Sequence, residues 1–185
     1  MSSKITIDEL EKYLWGSAVL LRTHVDAGAY KQYIFPLLFF KRLSDVYDEE
    51  CAKIKAEYGE DTTYLSFLAS GGQFFVFDGA GFGDVLYNDM GLAKPSGMPE
   101  QTDISLPVVT YEGLAAINTD YIFLIATDED LAELQSNAIW NNLPAVKAGH
   151  VVVLPSSPYF NQGYSSIGRE VLVDEIGDML NETKQ

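Results

Sequence analysis

Cysteine is nearly absent from this chain: Cys51 stands alone, so no disulfide within the chain can staple it, and no redox compartment is implied. In the helical pattern of Tyr47, Cys51 and Ile54 it reads as a half-buried structural thiol rather than a nucleophile. Histidine is scarce too. His24 and His150 are the two histidines, and neither has a cysteine or a second histidine near it in sequence, so nothing shows metal-ligand spacing. His150, opening an apolar run after Gly149, reads as structural. Cations are the third shortage, with 12 Lys/Arg against 27 Asp/Glu and a formal charge of −15. Nucleic acid and anionic membrane surfaces both reward basic patches, so this balance argues against either as a main partner. Long apolar runs are missing as well. The longest, Tyr33 to Phe40, is too short to span a bilayer, so no membrane insertion is expected. Met1 to Lys12 is polar and charged, without the apolar stretch of a signal peptide, which predicts a protein that stays in the cytoplasm.

What remains is enough to fold. Apolar residues make up 47% of the 185, so the chain can bury a real core. Two unlike passages meet near Ser70-Gly71. Residues 1–70 carry 8 Lys/Arg against 11 Asp/Glu and read as amphipathic helix; residues 71–185 carry 4 against 16 and alternate short strands with helices. The expectation is a helical module over 1–70 and an α/β lobe over 71–185. The fold class is α/β: a helical segment packed on a small Rossmann-like parallel layer.

Thr6-Ile7-Asp8-Glu9 is a capping box, after which Ile7, Leu10, Leu14, Ala18 and Leu21 recur at helical spacing. His24 to Gly28 interrupts the pattern, with Asp26 as the next cap. A second helix then runs toward Tyr58, kinked by Pro36 and stopped at Gly59. Tyr64, Leu65, Phe67 and Leu68 form a short apolar patch. Lys41 and Arg42 are the candidates for a DNA phosphate contact, although helical ion pairing with Asp45 and Asp48 is the stronger reading.

The strings Leu10-Glu-Lys-Tyr-Leu-Trp-Gly-Ser-Ala, Leu21-Arg-Thr-His-Val-Asp-Ala and Tyr30-Lys-Gln-Tyr-Ile-Phe-Pro-Leu-Leu-Phe-Phe-Lys-Arg-Leu resemble a known family over residues 4–68. It is the N-terminal helical domain of the modification (methyltransferase) subunits of type I restriction-modification systems. The resemblance implies a module that helps assemble subunits around DNA, with methyl transfer carried out by a following domain. The glycine-rich S-adenosylmethionine loop and Asn-Pro-Pro-Phe-type motif of that domain do not occur in this sequence, which predicts no methyl transfer and no cofactor.

Downstream, Phe74–Phe77, Leu106–Val109, Tyr121–Ala126 and His150–Leu154 read as strands. The intervening helices are Asp84–Met90, Tyr111–Ile117 and one capped by Asp128, with a last helix opened by Ser165 or Ser166. Gly79-Ala-Gly-Phe-Gly lacks dinucleotide spacing and ends in Asp84, which would repel phosphate; a plain strand-to-helix turn fits better. The run Ile139-Trp-Asn-Asn-Leu-Pro-Ala-Val-Lys-Ala-Gly-His-Val, followed by Tyr159-Phe-Asn-Gln-Gly-Tyr, is similar to a second family over residues 71–182. These are the C-terminal lobes of the extracytoplasmic binding proteins of iron-siderophore and vitamin B12 ABC importers. That likeness implies a ferric siderophore as ligand, bound weakly because the N-terminal lobe is missing. It also implies an aromatic ligand surface of Phe74, Tyr159, Phe160, Asn161 and Tyr164, and a permease-docking acid at Asp84. A core role for Phe74 and a simple exposed turn at Tyr159–Tyr164 remain open beside these.

Taken together, the residues predict a non-enzymatic, chimera-like chain with at most a residual half-site. An accessory module of a restriction-modification complex is the alternative. No arrangement of nucleophile, acid and base can be placed for a small enzyme. Two orphaned apolar surfaces, one of them Ile34, Phe35, Leu38 and Phe39, are expected to cover each other within the chain or by self-association.

Overall fold

The cap predicted at Thr6 forms: its N–H donates to Glu9 Oε2 at 3.0 Å, and the Glu9 N–H donates back to Thr6 Oγ1 at 3.3 Å. Helix α1 then runs over Ile7–Leu21 and helix α2 over Ala27–Tyr58, uninterrupted at Pro36. The computed structural model describes residues 6–21, 27–59, 62–102, 105–155, 159 and 161–183. The expected caps and breaks at Asp26 and His24 lie outside them. The chain divides into two compact units, Met1–Val46 and Tyr47–Gln185, and the division falls within α2.

The second unit is built on a five-stranded sheet of order β3-β2-β1-β4-β5. Its strands are β1 Tyr64–Ser70, β2 Gln73–Val76, β3 Val108–Val109, β4 Tyr121–Ala126 and β5 Val151–Pro155. The parallel layer expected from sequence is present as β1-β4-β5, with Phe67 beside Leu124 and Leu124 beside Val153. The other two strands run antiparallel: β2 folds back on β1 through Gly71-Gly72, both in the left-handed region at φ 57° and 73°, and β3 pairs with β2. The sheet is therefore mixed.

The central strand, β1, is the one read as an apolar patch. Ser66 within it is fully buried and donates to the Phe77 carbonyl at 3.2 Å. Both faces of the sheet are covered. Phe123 and Ile125 of β4 point to one core with Phe77, Phe82, Leu86 and Leu172, while Ile122, Leu124 and Ala126 point to the other with Leu65, Leu114, Leu134 and Trp140. This two-sided burial explains the unbroken apolar run at Tyr121–Ala126.

Short helices α4 Tyr111–Ala116, α5 Asp128–Ser136, α6 Ala138–Asn142 and α7 Pro144–Lys147 line the second face. Thr127 rather than Asp128 caps α5, accepting from the Asp130 N–H at 3.2 Å. The first face carries helix α3 Phe82–Asp84, a π-helical turn Val85–Asp89, and the last helix α8 Ser166–Glu182, capped by Ser165.

The closing part of α2 also lies on that first face, as the packed-helix expectation required. The residues that do it are Cys51, Ile54 and Tyr58, with Tyr47 at the edge. Phe35 and Phe39, expected to be covered within the chain or by a second copy, are 63% and 65% exposed.

Candidate functional site

Two glycines bring the site together. Gly81, at φ 55°, ends the glycine-rich turn after β2, and Gly163 precedes α8. A Cβ on Gly163 would lie 2.5 Å from the Gly81 carbonyl carbon, so the two backbones touch. The Tyr164 ring occupies the space where a Gly81 Cβ would stand, 2.7 Å from that position, and is itself 59% exposed. The turn thus serves as a seat for an exposed aromatic ring rather than as a phosphate cradle.

Beside this seat is a charged cluster from three elements. Burying Phe82, Val85 and Leu86 leaves Asp84, Asn88 and Asp89 on the outer side of the turn. One helical turn after its cap, α8 presents Arg169, which bonds Asp84 and places Nε 3.4 Å from Asp89 Oδ2. Tyr47 of α2 donates its hydroxyl to Asp89, and Asn88 Nδ2 donates to Asp84 at 2.5 Å. Burial alone would raise the Asp84 carboxyl; hydrogen bonds from Asn88 and Arg169, with the guanidinium charge, hold it below the ordinary value instead. Tyr47 is pushed well up, first by burial and then by its bond to Asp89. Burial and the Asp89 charge push the Cys51 thiol up to about 11, so at neutral pH it is protonated and poorly suited to nucleophilic work.

The sequence-predicted ligand residues separate. Phe74 is 1% exposed, packed edge-on against Tyr111 at 4.7 Å in the core on the opposite sheet face from Tyr159. It has no surface to offer a ligand, and its core reading is the correct one. Tyr159 leans half-buried on the first core; burial raises its hydroxyl, helped by a hydrogen bond with Glu175. Asn161 is exposed, and its carbonyl accepts the Tyr164 N–H at 3.2 Å. Phe160 lies outside the described residues. Glu175 Oε2 and Gln162 Oε1 are buried without a hydrogen bond among the described residues.

Asp84, the expected docking acid, is half-buried and engaged by the chain's own Arg169. Lys41 pairs with Asp45 one turn on, as the ion-pair reading held, and Arg42 is exposed. His150 stacks on Tyr121 at 4.3 Å, with Nδ1 3.1 Å from the Asp120 carbonyl oxygen. No group of three or more acidic, histidine or cysteine residues among the described ones is placed to hold a metal.

Sequence reasoning missed the cluster of Arg169, Asp89, Asn88 and Tyr47. No local pattern signals it, because Asp84 and Arg169 stand 85 positions apart.

A family model described as the HsdM N-terminal domain matches residues 10–103, just over half of the chain. The chain belongs to the HsdM N-terminal domain family. The match runs past the seam read from the sequence, through β1, β2 and the π-helical turn.

The chain is also similar to the iron-uptake system-binding protein of Bacillus subtilis (strain 168), 27% identical over 134 residues, covering 66% of this chain and 42% of that protein. It is 29% identical over 119 residues to the iron(3+)-hydroxamate-binding protein YxeB of the same organism, covering 59% of this chain and 36% of YxeB. The chain therefore spans well under half the length of these relatives. Among solved structures, FhuD2 from Staphylococcus aureus with bound ferrioxamine B superposes with a TM-score of 0.63 at 22% identity, over 94% of this chain and 66% of FhuD2. That likeness shows the α/β fold. The family match over residues 10–103 and the alignment covering 66% of the chain together exceed its length, so the two resemblances share residues. No helix among the described residues is long and apolar enough to cross a membrane.

Proposed function

We propose that the chain is a non-enzymatic binding module whose α/β unit offers a weak half-site for a ferric hydroxamate siderophore. The observation that supports this most is the exposed Tyr164 ring seated on Gly81, in a chain that is 29% identical over 119 residues to an iron(3+)-hydroxamate-binding protein. Tyr164, Tyr159 and Asn161 form the surface, and the apolar ring stacks while the amide reaches.

The electrostatics select among chelates. Asp84, Asp89 and Glu175 outnumber Arg169, whose charge is already committed to the first two. An anionic catecholate complex meets net repulsion there; a neutral or cationic hydroxamate complex does not. A two-lobe site of micromolar affinity is worth about −8 kcal/mol, and roughly half those contacts leave about −4 kcal/mol, near a millimolar dissociation constant. Asp84 serves in this reading as the acid that docks on a permease arginine, exchanging its internal Arg169 partner for an external one. Self-association is a separate part of the proposal, supported by the apolar side chains left exposed in Met1–Val46.

Calorimetric titration with ferrioxamine B and with a ferric tris-catecholate tests the ligand. Millimolar binding of the hydroxamate, weakened at least threefold by Tyr164→Ala, is expected. Low-micromolar binding of the catecholate would overturn the assignment.

A second reading rests on the family match over residues 10–103. In it the chain is an accessory of a type I restriction-modification complex, making protein contacts through its helices. Co-purification with the other subunits of such a system, unaffected by Tyr164→Ala, would favour that reading.

A further inference from the structure

The described large apolar residues that remain exposed are concentrated in one place. Ten of the fifteen lie between Ile7 and Phe40, and none of the described residues before Cys51 belongs to the buried core. Six of the ten are aromatic: Tyr13, Trp15, Tyr33, Phe35, Phe39 and Phe40, each 61–74% exposed. An aromatic side chain carries about 150–250 Å², so these six alone present roughly 600–900 Å² of surface. Surface of this extent on two helices is more than a monomer in water ordinarily leaves open.

Of the six aromatics, Trp15 and Phe35 line a groove between the two helices. Within Met1–Val46, α1 and α2 leave a groove of about 800 Å³ lined by Leu14, Trp15, Ala18, Ile34, Phe35 and Leu38. Its rim carries both signs, Asp8 and Glu11 on α1 with Lys12 and Lys31 beside them. A rim that carries both signs can pair with a second copy of itself under a twofold axis. Charge elsewhere enforces the choice. Residues 1–46 hold six Lys/Arg against five Asp/Glu, a net of +1, whereas residues 47–185 hold six against 22, a net of −16. Two copies approaching through the acidic part repel each other. The near-neutral helices are where approach costs least.

We infer that the α1–α2 groove is the docking site for a second copy of this chain, each copy seating α1 in the groove of the other to give an isologous four-helix pair. This rests on the self-association part of the proposed function and is independent of the siderophore part.

Analytical ultracentrifugation of the full chain tests it, with Phe35→Glu placing a charge in the groove and Lys31→Glu reversing the sign of one rim position. The expected result is a dimer at tens of micromolar whose dissociation constant rises at least tenfold in Phe35→Glu. Lys31→Glu should weaken it severalfold, with recovery when Glu11→Lys is added. A second measurement guards against misfolding: in a Cys51→Ser background, Ala18→Cys should form an interchain disulfide on mild oxidation. A dimer unmoved by these substitutions would overturn the groove while leaving self-association standing. A monomer at 100 micromolar would overturn both. Binding of a monomer to phosphatidylcholine vesicles, abolished by Phe35→Glu, would assign the surface to lipid and sink the inference as well.

Discussion

A methyl group on Gly163 would meet the carbonyl carbon of Gly81 at 2.5 Å and the amide nitrogen of Phe82 at 2.7 Å, and neither backbone atom can move aside alone. Gly163→Ala is therefore expected to destabilise the α/β unit by about 1–3 kcal/mol, the usual range for overpacking a filled site. Urea denaturation followed by circular dichroism measures it. A neutral effect would mean that the two turns do not touch. The acid pair around Arg169 gives a second outcome. Asp84 has its carboxyl held down in the folded state, by bonds from Asn88 and Arg169 that outweigh burial. A lowered folded pKa contributes stability that is complete above the unfolded value of about 3.9 and is lost as pH falls through the folded value. Arg169→Met removes the main charged partner, and charge-assisted hydrogen bonds of this kind are worth roughly 1.5–3 kcal/mol. The stability gap between wild type and Arg169→Met should be widest at pH 6–7 and should close below about pH 4. A gap independent of pH would assign Arg169 a packing role only.

Among the elements, the closing part of α2 is the informative one. Ile54 is 7% exposed and reaches the first core, where its Cδ1 faces Gly177 of α8. Ile54→Ala should cost about 2–4 kcal/mol, detectable as faster hydrogen exchange in β4 and α8. Equal exchange in both variants would show that α2 only grazes the sheet. The same helix shows what could be read in advance. Its start, its continuation past Lys41 and its stop near Gly59 follow from spacing and a terminal glycine. The exchange of partners along its length does not, because apolar residues at Phe35 and at Ile54 look alike until one meets a sheet and the other meets solvent. Strand β1 escaped for a related reason. Tyr64-Leu-Ser-Phe-Leu-Ala-Ser is buried on both faces, so it has no alternation, and Ser66 breaks the apolar run although its hydroxyl is satisfied inside. Strand β4, apolar throughout, was plain. At the candidate site, the aromatic string from Tyr159 to Tyr164 is legible locally, whereas Phe74 reads equally as core or as ligand surface, because sheet face depends on the hairpin partner. The Asp84–Arg169 pair depends on two distant turns meeting, and no local pattern carries that.

At the scale of the whole molecule the uneven distribution of charge and burial has a consequence for stability. Among the described residues everything buried lies from Cys51 onward, and the acidic excess lies from Tyr47 onward. DNA affinity should accordingly be weak and vanish at physiological salt, since the few cations of residues 1–46 cannot offset repulsion by the rest; submicromolar binding in 150 mM salt would contradict this. Burial makes the sharper claim. A chain of residues 47–185 keeps both cores, the cap at Ser165 and the last three turns of α2, so it should unfold in one cooperative transition within a few degrees of the full chain at low concentration. The full chain, if its helices pair with a second copy, gains stability by mass action, and its midpoint should climb as concentration rises from 1 to 100 micromolar. The shortened chain should show no such climb. Scanning calorimetry of both across that range decides the matter. A shortened chain that fails to fold would mean that the first half of α2 supports the sheet, and equal concentration dependence in the two would place the association surface on the α/β unit instead of the helices.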